Sequence, residues 1–290
     1  MLALFLLVAL IGADTLIDTH AVRDCAGPSS DNVVSACSQI IEGLPRSAKD
    51  RAIAYLFRGR AFNAKSQPER AISDFTKAIA IDPRFAPAFS ERATSYAALK
   101  RLDLAISDCT QATTINPAYA GYWYSCGNAY WRAHQLDNAL AEYEEAIRLQ
   151  ADFPLAYLNK GLVEADQGLL DAALGDLTKA IRLDPKNTDA LYDRGIMHGR
   201  LGRLPDAIND FTSVIQANPD EADAYKQRAE AQREMGHLDE AIKDLRRAAC
   251  VAYSSTNLEI SEANHRGSAS TRRAVTKVGT NLGTLDRDLF

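Results

Sequence analysis

Residues 52–85 read AIAYLFRGRAFNAKSQPERAISDFTKAIAIDPRF, and residues 86–119 read APAFSERATSYAALKRLDLAISDCTQATTINPAY. The two stretches share small residues and a proline at equal intervals of 34, and the same positions recur further along the chain. The four ladders are Ala71, Ala105, Ala139, Ala173, Ala207 and Ala241; Gly59, Ala93, Gly127, Gly161, Gly195 and Ala229; Ala78, Ala112, Ala146, Ala180, Val214 and Ala248; and Pro83, Pro117, Pro185 and Pro219, with Ala151 replacing one proline. A fixed period of this size predicts an array of stacked repeats.

The residue types in these ladders favour paired helices. Small residues allow two helices to cross closely, and large residues three or four positions away fill the surrounding grooves. A residue before proline is pushed out of the α region, so the second helix of a repeat ends at pairs such as Asp82-Pro83. No stretch alternates with the period of two that strands require. The sequence therefore predicts an all-α, right-handed superhelical solenoid of six repeats, at 52–85, 86–119, 120–153, 154–187, 188–221 and 222–253.

The repeat resembles the tetratricopeptide repeat family, whose unit is a helix–turn–helix of this length. The resemblance rests on the ladders and on large residues that open each first helix, and it covers residues 52–253. These large residues are Tyr55, Phe89, Trp123, Tyr157, Leu191 and Tyr225. A later large position is kept in Phe62, Tyr96 and Tyr130 but is lost to Glu164, His198 and Gln232. The last three repeats are therefore expected to pack more loosely.

Composition and motifs argue against several classes of function. The net charge is −5, so the chain lacks the basic surface that nucleic-acid binding usually needs. There is no phosphate-binding glycine loop, no Gly-x-Ser-x-Gly motif and no His-x-x-x-His metal spacing. The recurring acids track the repeat and are expected to be structural: Asp74, Asp108, Glu142, Asp176, Asp210 and Asp244. We expect no enzymatic activity, no cofactor and no metal.

The first 21 residues differ from the rest of the chain. Residues 1–11 form an unbroken apolar run without charge, which suits a secretory signal peptide but is too short for a stable membrane span. No Lys or Arg precedes the run, so a buried or membrane-associated arm is the alternative. We expect an exported protein, periplasmic or secreted, or a cytoplasmic one if the run is not a signal.

Residues 22–51 are expected to cap the repeats. Val33, Val34, Cys37, Ile40 and Ile41 fall on one side of a predicted short helix. This segment resembles the cap that precedes the repeats in exported bacterial tetratricopeptide proteins.

Two pairs of cysteines receive different interpretations. In an exported chain, Cys25 and Cys37 in the small capping segment favour a disulfide, the alternative being two reduced thiols under the first repeat. Cys109 and Cys126 occupy positions that other repeats fill with large or cationic residues, so they are interpreted as core residues. A bridge between them is conceivable because adjacent helices bring such positions together, but the sequence does not favour it.

The resemblance also implies where a ligand would bind, because first-helix residues line the concave face in this family. Projecting that register gives Tyr124, Asn128, Trp131, Arg132, Leu158, Asn159, Leu162, Asp189, Tyr192, Asp193, Arg200, Lys226, Gln227, Glu230 and Arg233. Asparagine amides can both donate to and accept from an extended peptide backbone. Tyrosine and tryptophan supply contact area at low entropic cost.

Some members of the family hold C-terminal carboxylates of chaperones in a clamp of Lys, Arg and Asn. Asn128 and Asn159 match two clamp positions, but Tyr124, Asp189 and Asp193 stand where the cations should be. The sequence therefore predicts that acidic tails are rejected. A ligand is expected to be neutral or basic near Asp189 and Asp193.

The sequence thus predicts a protein–protein interaction scaffold that binds a peptide or a partner protein in its groove. The alternative is an accessory subunit of an enzyme complex, or a remnant of a longer chain that has lost a catalytic domain. Residues 254–290 lack the repeat and are expected to be disordered or weakly helical, with 258–263 as a candidate helix. The sequence leaves the partner and the oligomeric state open.

Overall fold

The fold was analysed in a computed structural model. It describes residues 25, 27, 30–43 and 47–265, and for residues 30, 31 and 254–265 the backbone alone. The predicted leader and the segment after residue 265 lie outside the described residues. Thirteen helices and no strands form the described part. The capping helix is α1, Ser30–Glu42; the first helices of the repeats are α2 Ala48–Ala64, α4 Ala86–Ala98, α6 Ala120–Arg132, α8 Pro154–Asp166, α10 Thr188–Arg200 and α12 Ala222–Glu234; the second helices are α3 Pro68–Ile81, α5 Leu102–Ile115, α7 Leu136–Leu149, α9 Leu170–Leu183, α11 Leu204–Ala217 and α13 Leu238–His265.

Each first helix packs against the second helix of its own repeat, and each second helix packs on the next first helix within two compact units. The first unit holds α1–α9 and ends at Leu183, and the second begins at Asp184 and holds α10–α13. The all-α repeat solenoid predicted from the sequence is confirmed.

The second helices end where the Asp-Pro and Asn-Pro pairs predicted. Asp82 follows α3 with an extended backbone, and its side chain accepts a hydrogen bond from the backbone N–H of Arg84 at 2.9 Å. Asn116, Asp184 and Asn218 repeat this turn after α5, α9 and α11. The acid or amide before proline therefore fixes the connection to the next repeat, since such side chains readily bond the backbone two residues on.

The turn inside each repeat places one residue in the left-handed region. The residues concerned are Ser66, Lys100, His134, Gly168, Gly202 and Gly236, with φ between 56° and 82°. They are again 34 residues apart. The first three repeats therefore carry a side chain at a position where glycine is the unstrained choice.

The glycine ladder lies where an aromatic ring of the second helix approaches the first. A Cβ atom at Gly59 would lie 2.5 Å from the Phe75 ring, and one at Gly127 would lie 2.5 Å from the Tyr143 ring. Phe75 and Tyr143 are fully buried. Glycine is thus required by the size of the facing residue, and Ala93 occupies the equivalent position where that residue is the smaller Cys109.

The acidic ladder forms ion pairs that link the two helices of a repeat. In each pair a cation on the first helix meets the acid sixteen residues later on the second. The pairs are Arg58–Asp74 at 2.7 Å, Arg92–Asp108 at 2.6 Å, Lys160–Asp176 at 2.6 Å, Arg194–Asp210 at 2.6 Å and Arg228–Asp244 at 2.7 Å. Arg92 and Arg228 also donate to threonines 16 residues earlier, Thr76 and Thr212, at 3.0 Å. The ladder therefore ties helices within and between repeats.

The first and last described helices lie outside the regular helix pairs of the repeats or extend beyond them. The capping helix α1 buries Val33, Cys37 and Ile40, as its pattern predicted. The last helix runs past residue 253, where the predicted repeats end, and continues to His265 through the candidate helix at 258–263.

Candidate functional site

An amide and aromatic cluster lies between three helices of the first compact unit. Asn159 on α8 donates from Nδ2 to Oδ1 of Asn128 on α6 at 2.8 Å, and to the hydroxyl of Tyr124 at 3.0 Å. The Tyr143 hydroxyl on α7 donates to the same Oδ1 of Asn128 at 2.7 Å. The stacked helices thus bring together three predicted groove residues, and Tyr143, which the sequence had not marked as functional.

Tyr143 fixes the orientation of this cluster. Its side chain is fully buried, and burial raises the pKa of its phenol far above the usual value, so the hydroxyl remains a donor at neutral pH. Because Asn128 Oδ1 accepts two hydrogen bonds, its Nδ2 group points elsewhere. The Nδ2 of Asn128 and the Oδ1 of Asn159 make no hydrogen bond to the described residues.

The other predicted groove residues of the first unit are distributed around the cluster. Trp131 is half-buried and donates from Nε1 to the Asp166 carboxylate at 2.8 Å. Arg132 is exposed and Leu162 is half-buried. Leu158 was projected onto the open face, but it is 6% exposed and belongs to the core. Its projection is wrong because the apolar side chain turns into the packing between helices.

In the second compact unit, acidic residues surround a small cavity. The cavity has a volume of about 180 Å³ and is lined by Thr188, Asp189, Tyr192, Val214, Asn218, Glu221 and Asp223. Tyr192 packs edge-on against Phe211, with ring centroids 5.7 Å apart. Burial, together with the charges of Asp223, Asp193 and Glu221, raises the pKa of the Tyr192 phenol.

Asp193 lies half-buried on the same helix as Asp189. Burial disfavours its carboxylate, the charge of Asp189 adds to the effect, and the pKa of Asp193 rises to about 6. Lys226 is exposed and pairs with Asp223 at 2.8 Å, so it neutralises one acid of the region. Acidic side chains therefore outnumber the cations described in this region.

Arg200 belongs to a second cavity of about 150 Å³ in the same unit. Gln227 and Glu230 line it as well, whereas Asp189, Tyr192 and Lys226 do not. Glu230 forms an ion pair with Arg233, both exposed. Of the residues projected for the second unit, Asp189 and Tyr192 therefore line one cavity and Arg200, Gln227 and Glu230 line another, whereas Asp193, Lys226 and Arg233 line neither.

The cysteines form two pairs. The sulfur atoms of Cys25 and Cys37 lie 2.11 Å apart, and those of Cys109 and Cys126 lie 2.17 Å apart. The sequence favoured a pair for the first two and separate core thiols for the second two. Cys109 and Cys126 are buried as predicted, but the stacking of α5 on α6 brings them together.

The second cysteine pair interrupts the ion-pair ladder. Cys126 occupies the position held by arginine or lysine in the other five repeats, and it links α6 to the preceding repeat as Arg92 and Arg228 do through threonine. Glu142 keeps the acidic position, but no cation stands at position 126. Its Oε2 atom is buried and has no hydrogen-bond partner among the described residues. Burial, with a smaller effect from Glu145, raises the pKa of Glu142 to about 7.

This carboxyl group should make stability depend on pH. The folded pKa of about 7 exceeds the ordinary value of 4.5, so the folded state binds the extra proton. Stability from Glu142 should be full below pH 4.5 and should fall as pH rises through 7. We expect Glu142→Gln to raise the free energy of unfolding at pH 8 by about 1 kcal/mol, because it removes a poorly solvated charge. Urea denaturation of both proteins at pH 5 and pH 8 measures this, and an equal gain at both pH values would contradict it.

The described residues contain no cluster of His, Cys, Asp or Glu with the geometry of a metal site. None of the described helices combines the length and apolar character that crossing a membrane requires.

Comparison with known proteins places the chain in a family. Profiles described as "Tetratricopeptide repeat" match residues 52–85, 86–119, 124–188 and 192–255. The chain therefore belongs to the tetratricopeptide repeat family. No curated protein sequence matches it significantly.

Solved structures of similar fold include three proteins of low sequence identity. PilW, described as a widely conserved type IV pilus biogenesis factor, is 21% identical, with a TM-score of 0.62 over 67% of this chain and 90% of its own. MamA is 21% identical, with a TM-score of 0.54 over 57% of this chain and 96% of its own. YrrB, described as having an unusual peptide-binding site, is 23% identical, with a TM-score of 0.50 over 66% of this chain and 96% of its own. These likenesses show the fold.

Proposed function

We propose that the chain is a non-enzymatic scaffold that binds an extended peptide segment through the cluster of Tyr124, Asn128 and Asn159. The observation that supports this most strongly is the pair of unused amide groups. Asn128 offers a donor and Asn159 an acceptor on neighbouring first helices, and an extended backbone presents the complementary carbonyl and N–H groups. Tetratricopeptide repeats are interaction scaffolds in general, and YrrB is described as having a peptide-binding site.

The hydrogen bonds of the cluster give it a defined orientation before a ligand arrives. Tyr143 and Asn159 both bind Oδ1 of Asn128, so neither amide can rotate freely without losing a partner. Preorganised groups lose less conformational entropy on binding. Tyr124 adds an aromatic surface, since its ring packs 5.0 Å from that of Phe153.

The second unit, taken by itself, has an acidic cavity, and we propose that a ligand group bound there is basic or neutral. Asp189, Glu221 and Asp223 line it, and Asp193 lies nearby. An acidic peptide would be repelled there, whereas a lysine or arginine side chain would be attracted. Because the pKa of Asp193 is about 6, this attraction should weaken as pH falls below 6.

A peptide-display selection on the full chain tests the proposal. Selected peptides should carry basic or neutral residues, and their affinity should be measured by fluorescence anisotropy. We expect the double variant Asn128→Ala, Asn159→Ala to bind at least tenfold more weakly, since each lost hydrogen bond contributes about 1 kcal/mol. Asn138→Ala is the matched control, because the side chain of this exposed asparagine bonds only that of Gln135, the residue before its own helix.

Two results would count against this function. Equal binding by the double variant and by the control would remove the amide cluster from the site. Tight binding of peptides with acidic C-termini, undiminished at low salt, would contradict the proposed charge preference.

We also propose that the protein works outside the cytoplasm. The pairing of Cys25 with Cys37 and of Cys109 with Cys126 supports an oxidising compartment, where disulfides form and persist. Thiol alkylation of unreduced protein from its native host tests this. Four protected cysteines would support export, whereas alkylation of all of them would contradict it.

A further inference from the structure

The last described second helix carries an apolar strip on its outer surface. Leu238, Ile242 and Leu245 on α13 are exposed, and Met235 in the preceding turn is exposed as well. Ala249 and Ala252 continue the strip at the same spacing of three and four residues. We call Met235, Leu238, Ile242, Leu245, Ala249 and Ala252 the α13 strip. An apolar row with an average period of 3.5 residues is the pattern by which two helices pack along each other.

The repeat register shows that this strip occupies a position that is normally covered. Leu245 is 51% exposed, whereas its equivalents Phe75, Tyr143 and Phe211 are at most 2% exposed. Each equivalent shares a buried apolar cluster with a residue of the next first helix, namely Ala88, Val163 and Ala231. Within the described residues no such helix follows α13. The surface is therefore of the kind that a neighbouring helix covers elsewhere in the chain.

We propose that the α13 strip is covered by the same strip of a second copy of this chain, in an antiparallel, two-fold symmetric pair. One register packs two large residues together on each side of the two-fold axis and sets the outer large residues against alanines. It sets Ile242 against Leu245 of the partner subunit, Leu238 against Ala249 of the partner subunit, and Met235 against Ala252 of the partner subunit. The two-fold axis generates each of these residue pairs twice, as an isologous interface requires.

Charges beside the strip agree with this register. Asp239 and Arg246 border the strip on its side away from the core of the repeat, and both are exposed. Neither makes an ion pair with the described residues. In the antiparallel register, Asp239 of one copy lies beside Arg246 of the partner subunit, twice over. A parallel pair would set alanine against alanine at Ala249 and Ala252 and leave voids between the helices.

The strip is short, so the pair should be weak and dependent on concentration. Interfaces below about 1,200 Å² are usually transient. Sedimentation equilibrium of the full chain over a wide concentration range should show reversible dimers. Leu245→Glu should abolish them without loss of helicity, because the side chain is exposed in the single chain.

Charge reversal tests the register itself. Asp239→Arg alone and Arg246→Asp alone each create two like-charge contacts, and each should weaken dimerisation about tenfold or more. The double variant should restore the parental affinity, because it exchanges the two signs. Rescue would not be expected if the variants acted only on the folding of a single chain.

Several results would overturn the proposal. A monomer at every concentration would show that no second copy covers the strip. Dimers that persist in Leu245→Glu would place the interface elsewhere. Single reversals without effect, or a double variant that fails to recover, would exclude the antiparallel register.

Discussion

Replacing Asp108 by alanine is expected to lower the free energy of unfolding by about 3–5 kcal/mol, the cost of removing one partner of a buried ion pair. Arg92 donates from Nε and Nη2 to both carboxylate oxygens of Asp108, at 2.6 and 2.8 Å. Both side chains are largely buried. Without Asp108 the guanidinium would remain in the helix interface with Thr76 as its remaining hydrogen-bond acceptor.

The loss of stability in Asp108→Ala should follow from the burial of the Arg92 charge rather than from the number of ion pairs. In the parent chain Asp108 raises the pKa of the Arg92 guanidinium, chiefly through their hydrogen bonds. Arginine keeps its proton in proteins even without such a partner, so the variant cannot escape the penalty by neutralising Arg92. Since a domain is typically stable by about 5–15 kcal/mol, the variant should be close to unfolding in its first compact unit.

Chemical denaturation followed by far-ultraviolet circular dichroism measures this loss. Glu145→Ala is a suitable control, because Glu145 forms an ion pair with Arg148 on the surface of a single helix. Exposed pairs of this kind contribute little, so no measurable change is expected. A loss below about 1 kcal/mol for Asp108→Ala would show that the ladder is a consequence of stacking and not one of its causes.

The ladder also illustrates what the sequence could and could not reveal. The acids were recognised as a periodic structural set, and their burial agrees with that interpretation. The cations that pair with them recur in the same register, at Arg58, Arg92, Lys160, Arg194 and Arg228. Reading both rows together would have predicted the pairs. It would also have marked position 126, where a cysteine breaks the cation row.

The repeats themselves could be predicted because stacking imposes the same requirement at every unit. Small residues at crossings and Asp-Pro or Asn-Pro pairs at helix ends are local features, so their period survives in the sequence. The end of α13 had no such signal. The helix continues to His265 beyond the last ladder residue, because residues 254–265 contain neither proline nor glycine to stop it.

The candidate site was only partly predictable. The register placed Asn128 and Asn159 on neighbouring first helices, and the structure brings their amides within 2.8 Å. The register alone does not predict the hydrogen bond between the two asparagine side chains. That bond depends on the buried Tyr143 hydroxyl, which fixes the orientation of the Asn128 amide. Leu158 shows the opposite failure, since one residue in a projected register can turn into the core.

Gly127→Ala is expected to destabilise the chain by about 1–3 kcal/mol, because the new methyl group has no room. Its Cβ atom would meet three carbon atoms of the Tyr143 ring at 2.5–2.9 Å, and that ring is fully buried. Either the ring or the backbone of α6 must move.

Gly175→Ala is the matched control for this change. A Cβ atom at Gly175 meets nothing within 4 Å, and the residue lies inside helix α9. Alanine is the better helix former, so this variant should be more stable by about 0.5–1 kcal/mol. Opposite signs for one chemical change would isolate the effect of the Tyr143 ring.

The same variant links packing to the proposed function. A displaced Tyr143 would weaken its 2.7 Å hydrogen bond to Asn128 and free the amide to rotate. Gly127→Ala should therefore reduce peptide affinity even at temperatures where it stays folded, whereas Gly175→Ala should not.

A double-mutant cycle combines Gly127→Ala with Tyr143→Leu and measures the free energy of unfolding. Tyr143→Leu should offset part of the loss caused by Gly127→Ala, since a Cβ atom at Gly161 would lie farther from the facing Leu177 than one at Gly127 lies from Tyr143. If the losses of unfolding free energy are fully additive, the Tyr143 ring and Gly127 are not coupled. The size of the facing residue would then not explain why glycine recurs at this position.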